Sequence, residues 1–355
     1  MYLPGISVVI ISHNEQGNIG DCLDSLMRVD YPADRLEIIV VDSSSDRTKE
    51  IVRGYKRVQL LSSERREFSS KRNLGLAHAK YDLVAFLDAD CQAPPRWPRI
   101  LLPKIGPSDV AAVGCNAYPP PDAPFLGICI ACIGKPAGGA IGFDSEVQFL
   151  DRGVDYVGSG CTLYRKSLLD KIGGFDEALR WGDEDVNLSQ RLRSAGYVLE
   201  YAADAFVYHK TRNSLRQFIA WAYRRGRSHF YATNPPLERI LFDPFSVLWL
   251  TLLILAAAIL PWRVVLYSII AAACLFLVFL QRLIGGKANG MFPSGSKKLR
   301  LLIERRQRIG VGLWTVLIVI LPLFCLDRLI LHIAQLWCRL ITTSSNTVVA
   351  AKRLP

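Results

Sequence analysis

Leu83 to Leu87 is an unbroken apolar run of strand length that stops at two carboxylates, Asp88 and Asp90, with only Ala89 between them. Such a run reads as a strand buried on both faces. In an extended chain, period 2 would put both carboxylates on one side, a few ångströms apart. Like charges that close are costly unless something cationic sits between them. Oxygen ligands suit Mg²⁺ or Mn²⁺, and such ions commonly complete their shells with substrate phosphates. The plainer reading of the same residues is an acidic turn closing a strand, because Asp-x-Asp alone is a short motif.

The text before this run repeats one pattern. Ile6–Ser12, Leu36–Val41 and Val58–Leu61 read as strands, and Asn18–Met27 and Phe68–Lys80 as helices between them, with Ser45 or Asp46 placed to cap a further one. Strands alternating with helices predict βαβ units and a mostly parallel sheet, an α/β Rossmann-like fold. Ligands of such sheets bind at the carboxyl ends of the strands. Those ends carry Ser12-His13-Asn14-Glu15, Asp42 and Asp88-Ala89-Asp90, so the polar groups converge on one edge. Between Gly114 and Gly153 the periodicity gives way to Pro- and Gly-rich text, a loop, linker or lid. Beyond it, Tyr156–Tyr164 and Lys166–Lys171 are periodic, Asp183–Ala195 predicts a helix, and Val198–Tyr201 and Ala205–Tyr208 predict short strands.

Charge is unevenly spread. Residues 1–204 carry 23 Lys/Arg against 28 Asp/Glu, a net −5, whereas residues 205–310 carry 16 against 3, a net +13. A basic excess beside apolar segments fits anionic lipid headgroups, and no aromatic-and-basic module points to nucleic acid. The nine cysteines are scattered, with Cys129-Ile-Ala-Cys132 the one close pair, and they predict structural thiols in a reducing compartment. Met1 leads straight into strand-like text, so no cleavable signal peptide is expected.

Asp42, Asp88-Ala-Asp90, Gly173-Gly-Phe-Asp-Glu177 and Gly182-Asp-Glu-Asp185…Arg191-Leu192, in that order, resemble the family 2 glycosyltransferases from about Ile6 to Arg225. The resemblance implies a glycosyltransferase A-type fold, a nucleotide-sugar donor, a divalent metal (Mg²⁺ or Mn²⁺) and inversion at the anomeric carbon. By the same resemblance Ser12, Asn14 and Glu15 lie near the base and ribose, Asp42 hydrogen-bonds the base, and Arg72 of Lys71-Arg72-Asn73 approaches the phosphates. Asp88 and Asp90 take the donor-and-metal role, joined by His209. Gly173, Gly174, Phe175 and Asp176 resemble an acceptor-side turn. Glu184-Asp185 resembles the catalytic pair, with Asp185 the expected base, since an acceptor hydroxyl must lose its proton as it attacks. Each position also has an ordinary reading: Asp42 as a helix cap, Arg72 as a surface charge, the Gly pair as a helix stop, and the carboxylates at 183–185 as charges favoured at a helix N-terminus. Processive synthases of the family carry Gln-x-x-Arg-Trp, whereas Gln217-Phe-Ile-Ala-Trp221 has Ala220 at the Arg position, which favours single-sugar transfer.

Phe245–Leu260 and Val264–Ile284 are apolar runs joined by Pro261-Trp-Arg263, a predicted membrane hairpin with basic outer flanks. Gly310–Leu326 is a third candidate, interrupted at Asp327-Arg328 and continued to Ile341 as one long span or a re-entrant hairpin. Lys298–Arg308 suits an amphipathic helix on the membrane surface. The expected domains are a catalytic one at 1–235, a membrane region at 236–341 and a tail at 342–355. The expected protein is an enzyme of the inner membrane with its catalytic domain cytoplasmic, its partners a nucleotide-sugar donor, a glycan or lipid-linked acceptor and membrane lipids. The alternatives are sugar transfer to a polyprenyl phosphate and a non-catalytic nucleotide-sugar-binding scaffold.

Overall fold

The structure, a computed structural model, describes residues 3–133, 150–179, 182–212, 214–233, 319 and 321–344. They fall into two compact units. The first holds the described residues up to Gly127 and from 150 to Thr211; the second holds those at 128–133 and from Arg212 onward.

In chain order the elements begin with β1 (Ile6–Ser12), α1 (Ile19–Met27), β2 (Leu36–Asp42), α2 (Thr48–Arg53), β3 (Val58–Ser62), α3 (Phe68–His78) and β4 (Leu83–Asp88). They continue with β5 (Cys91–Gln92), α4 (Trp97–Leu101), β6 (Val110–Tyr118), α5 (Phe125–Ile133), β7 (Cys161–Arg165), α6 (Lys166–Lys171), α7 (Glu184–Ser194) and β8 (Val198–His209). The strands form one sheet in the order β3-β2-β1-β4-β7-β6-β8-β5. Its first four strands are parallel, and the register pairs Ser12 with Asp42 and Ile11 with Asp88. That register levels the carboxyl ends of β1, β2 and β4, so the polar residues converge on one edge as expected.

The expectation of a mostly parallel sheet holds for that half alone. β7 runs antiparallel to β4 and pairs Leu87 with Cys161, which brings the start of β7 to the same edge. β6 and β8 are parallel to each other, and the two-residue β5 runs antiparallel to β8 with Cys91 opposite His209. This last pairing folds the chain just after Asp90 back beside His209.

Three local expectations change. Asp90 lies in a turn after β4, so the period-2 argument does not place it; the β5–β8 pairing does. Residues 114–118 belong to β6, and α5 occupies part of the stretch read as a loop, lid or linker. Its remainder at 134–149 lies outside the described residues. The two short strands predicted around residues 198–208 are one strand, β8. Its pairing with β6 jumps from Cys115↔Ala202 to Asn116↔Phe206, a bulge of three residues. The side chain of buried Asn116 holds that bulge, donating to the Ala203 carbonyl at 2.8 Å and accepting from the Tyr201 hydroxyl at 2.9 Å. An odd insertion exchanges the faces of the strand, so the bulge decides which way His209 looks.

In the second unit, α8 (Leu215–Thr233) packs on α9 (Leu321–Ser344). Gly226 permits the approach, since a Cβ there would lie 2.5 Å from the Leu331 carbonyl oxygen. Asp327, fully buried, accepts from Arg225 Nη2 at 2.8 Å. The helix runs through Asp327-Arg328 without a break, so that charge pair is not the turn of a re-entrant hairpin. Among the described residues no helix is long and apolar enough to cross a membrane. The spans expected at Phe245–Leu260 and Val264–Ile284, and the basic segment Lys298–Arg308, lie outside the described residues.

α3 is seated on the parallel half through Gly75, where a Cβ would lie 2.3 Å from Val9 Cγ1 and 3.2 Å from Val41 Cγ2. Alanine would gain ~1 kcal/mol of helix propensity but lose ~1–3 kcal/mol to overpacking. The valines are β-branched and fixed in central strands, so the clash should win. Gly75→Ala is expected to lower the denaturant midpoint at unchanged slope, by an amount equal to ~1–2 kcal/mol.

Candidate active site

The site is built along the sheet edge from β2 to β5. Asp42, at the end of β2, is completely buried. Its carboxylate accepts from Ser12 Oγ at 2.5 Å, from the Ser44 amide at 2.9 Å and from Ser44 Oγ at 2.5 Å. It is therefore no cap for α2; Asp46 serves that end, accepting from the Thr48 amide at 3.0 Å. Asn14 adopts φ +58°, a left-handed conformation that Asn tolerates. Its backbone amide donates to Ser44 Oγ at 2.6 Å, and its Oδ1 accepts from the Ser45 amide at 3.0 Å. The loops after β1 and β2 are thus stitched together around Asp42. Glu15 sits at the start of α1, where burial raises its pKa and Asp90 and Asp88 add to the rise against an opposing hydrogen bond from Asn18.

Arg72 is not a surface charge. It projects from α3 into the protein, 4% exposed, and its guanidinium donates to Glu184 and, at 3.2 Å, to Asp88 Oδ1. It also stacks 5.6 Å from the centroid of Phe175. Burial works against its charge, yet Glu184 and Asp88 outweigh that, so its pKa rises. Sequence reasoning aimed this residue at donor phosphates; in the structure it donates to two carboxylates of the protein. Asp88 itself is wedged against the chain entering β7. Its amide donates to the Gly160 carbonyl at 3.2 Å, and a Cβ at Gly160 would come within 2.5 Å of Asp88 Oδ2.

His209 Nε2 lies 3.7 Å from both Asp88 Oδ2 and Asp90 Oδ1. The ring's Nδ1 is 3.0 Å from the Lys210 carbonyl oxygen, which can only accept, so Nδ1 carries the proton of the neutral ring and Nε2 presents its lone pair to the carboxylates. A metal-binding histidine is commonly held by such a backbone carbonyl. Among the described residues, Asp90, Cys91 and His209 bring ligand atoms within 4.8 Å of one another. Burial holds the Cys91 thiol well above its ordinary pKa, which keeps it protonated and a poor ligand. The donors that remain, carboxylate oxygen and imidazole nitrogen, fit a Mn²⁺- or Mg²⁺-type ion. Asp88, Asp90 and His209, separately singled out in the sequence, are brought together.

Glu184 and Asp185 open α7, but they look different ways. Glu184 is buried and bound to Arg72; burial raises its pKa while Arg72 opposes the rise and Asp185 adds to it. Asp185 Oδ2 instead accepts from the Tyr156 hydroxyl at 2.7 Å and faces the Ser159 amide at 3.4 Å. Tyr156 and Ser159 were missed in the sequence: both lie in the periodic stretch Tyr156–Tyr164, where no charge or motif marks them as site residues. Asp183, just before them, is held at φ +58°, following Gly182 at φ +126°. A non-glycine residue in that region costs about 1 kcal/mol or more and must be held by its surroundings.

The Gly173–Glu177 turn is clamped from two sides. Asn73 donates to the Phe175 carbonyl and accepts from its amide, both at 2.9 Å. Arg191 donates to the carbonyls of Ile172 at 2.9 Å and Gly174 at 2.5 Å, while Asn187 accepts from its Nε at 2.8 Å. Asn187 thus has a structural job that its sequence position did not reveal. Phe175 is buried, edge-on to Phe86 and Tyr164 at centroid distances of 5.2 and 6.4 Å. Gly173 is exposed and Asp176 half-buried.

Residues 7–173 match the family model described as Glycosyl transferase family 2, and residues 141–286 match that described as Glycosyl transferase family group 2. The chain is 29% identical over 222 residues to Glycosyltransferase AglE of Haloferax volcanii, an alignment covering 59% of this chain and 68% of that protein. It is 27% identical over 277 residues to a poly-beta-1,6-N-acetyl-D-glucosamine synthase of Staphylococcus aureus, covering 71% of this chain and 64% of the relative. Probable glycosyltransferase YdaM of Bacillus subtilis is 29% identical over 277 residues, with 68% of this chain and 61% of the relative covered. The chain therefore spans about two thirds of the length of these relatives. In structure it resembles the mannosyltransferase PcManGT of Pyrobaculum calidifontis, solved with GDP-Man and Mn²⁺, at TM-score 0.56 and 20% identity over 86% of this chain and 88% of that one. The likeness to that structure is one of fold, consistent with the glycosyltransferase A type, and residues 7–173 are similar to the glycosyl transferase family 2 model.

Proposed function

We propose that the chain is a metal-dependent, inverting glycosyltransferase that moves a sugar from a nucleotide-sugar to a hydroxyl of a glycan or lipid-linked acceptor. The observation that carries this reading is the separation of duties on one sheet edge. Asp88, Asp90 and His209 converge at one point. Asp185 is held by Tyr156 and Ser159 rather than by a cation. The solved neighbour's GDP-Man and Mn²⁺ agree with the donor class and ion.

In this reading Ser12, Asn14, Glu15 and Asp42 take the nucleoside end of the donor. Asp88, Asp90 and His209 hold the divalent ion, which when bound neutralises charge on the donor diphosphate. Asp185 removes the proton of the acceptor hydroxyl as its oxygen bonds the anomeric carbon. The bond from that carbon to the diphosphate oxygen breaks on the opposite face, which inverts the configuration and releases a nucleoside diphosphate. Arg72 keeps Glu184 paired, so Glu184 is a supporting group and Asp185 the base. Gly173 and Asp176 are the accessible part of the acceptor-side turn, with Phe175 supporting it from within. Ala220 in place of the synthases' arginine favours transfer of one sugar, although Arg212 and Arg225 flank Trp221 at 4.7 and 5.1 Å from its ring centroid. The net +13 of residues 205–310 and the apolar runs beside them support action at the cytoplasmic face of a membrane on a surface or extracellular glycan.

Incubating the purified chain with a panel of nucleotide-sugars, with and without Mn²⁺ or Mg²⁺ and with membrane lipid extract, tests the reading. Metal-dependent nucleotide release from one donor is the expected result; no release from any donor would leave a binding protein. Asp185→Asn should still bind the nucleotide yet lose about 10²-fold or more in turnover, and unchanged turnover would remove Asp185 as the base. Gly160→Ala should keep its fold by circular dichroism while kcat/KM falls about 10²-fold, because its Cβ displaces the Asp88 carboxylate.

A further inference from the structure

α3 carries two buried cations in succession. Arg72 turns to Asp88 and Glu184; Lys71, 1% exposed, turns the other way. Its Nζ donates to the Ser12 carbonyl at 2.9 Å and to Ser43 Oγ at 3.3 Å. Those two residues flank Asp42: Ser12 also bonds the Asp42 carboxylate through its hydroxyl, and Ser43 follows Asp42 in the chain. The Ser43 amide in turn donates to the Ser12 carbonyl at 3.2 Å. A single ammonium therefore ties the end of β1 to the end of β2 beneath the loops assigned to the nucleoside.

We propose that Lys71 is a positioning residue for the nucleoside end of the donor site, clamping Ser12 and Ser43 so that Asp42 and the Asn14 loop are preset, and that its charge contributes to binding the donor's diphosphate. The inference rests on the nucleotide-sugar reading of this edge. A fully buried ammonium is rarely spent on packing, because burial of a charge must be offset by partners. Here, among the described residues, two hydrogen-bond acceptors meet three donor protons. The surrounding charges are mixed: Arg72 on α3 opposes it, while Asp42 on β2, Asp88 on β4 and Glu15 after β1 favour it, and the His13 ring lies 3.3 Å from the same Ser43 hydroxyl. Burial is the largest influence and lowers the Lys71 pKa from 10.5 to about 8. The sign follows directly. Below that pH the amine is charged and the clamp has its full complement of donors; above it the cation and one donor are lost, leaving Asp42, Asp88 and Glu15 less compensated toward an anionic ligand.

The test is the affinity of the full chain for UDP and GDP, each measured by calorimetry with Mg²⁺ from about pH 7 to about pH 9. Wild type should weaken about 3- to 10-fold across that range for whichever nucleotide binds. Lys71→Arg, which keeps the charge, should bind similarly to wild type at about pH 7 and show no such step. Lys71→Met should bind more weakly at about pH 7 and also lack the step. Ser43→Ala, which leaves the amine in place, should weaken binding yet keep the step, and it serves if the Lys71 variants do not fold. In turnover assays the loss should appear in the donor KM rather than in kcat. A flat wild-type profile, or a step that persists in Lys71→Arg, overturns the role of Lys71. Failure of either nucleotide to bind wild type at about pH 7 would instead overturn the nucleotide-sugar reading itself.

Discussion

The site depends on one buried cation held between two carboxylates from distant parts of the chain. Arg72 lies between Asp88, at the end of β4, and Glu184, at the start of α7, residues separated by nearly a hundred positions. Taking a guanidinium out of water is expensive, and an ion pair of this kind is retained only where the geometry supplies enough hydrogen bonds. Removing either acid would leave an uncompensated charge, so each of the three residues fixes the other two. The consequence for chemistry is positional. The strand end that presents Asp88 toward His209 and the helix that presents Asp185 toward Tyr156 are tied through the same side chain. What makes Arg72 tolerable there is its own frame: Phe175 beneath its plane, and Asn73, the next residue on α3, holding the turn that carries Phe175.

Much of this was legible from the sequence, for identifiable reasons. The parallel half of the sheet announces itself because its strands are continuous apolar runs that end in polar residues, and level register then forces Ser12, Asp42 and Asp88 together. Asp90 was singled out by its spacing from Asp88 and His209 by resemblance, but their meeting is set by features no periodicity encodes: a two-residue strand and a three-residue bulge pinned by Asn116. Tyr156 was invisible because it opens a stretch legible only as periodic, and a single tyrosine there carries no motif. Burial of Lys71 and Arg72, the latter expected either at the donor phosphates or as a surface charge, was hidden for the opposite reason. α3 has few large apolar residues, so nothing in its sequence says that the face carrying two cations points inward.

The glycine-rich turn shows how a motif can be read correctly in place and differently in detail. Gly173 and Gly174 do take left-handed conformations, at φ +80° and +65°, and do follow a helix end. A Cβ at Gly174 would sit 2.7 Å from Asn73 Oδ1, so that glycine is required by the clamp on its own backbone. Arg191, eighteen residues on, completes the clamp from α7. The turn, α7 and α3 are therefore one connected piece of hydrogen bonding, in which the motif's order along the chain reflects contacts in space.

That connection explains why two adjacent carboxylates can do different work. Neighbouring residues of a helix are about 100° apart and do not share a face. With Asp183 held in a left-handed conformation, α7 begins at a fixed angle, and Glu184 then falls toward Arg72 and Asp185 toward Tyr156. Taking a proton at Glu184 would abandon its ion pair with the buried guanidinium, even though burial raises the Glu184 pKa. Asp185 accepts instead from the Tyr156 hydroxyl and from the Ser159 and Val186 amides. The same buried cation that fixes Asp88 thus also occupies Glu184, which in the proposed reaction leaves Asp185 for proton transfer.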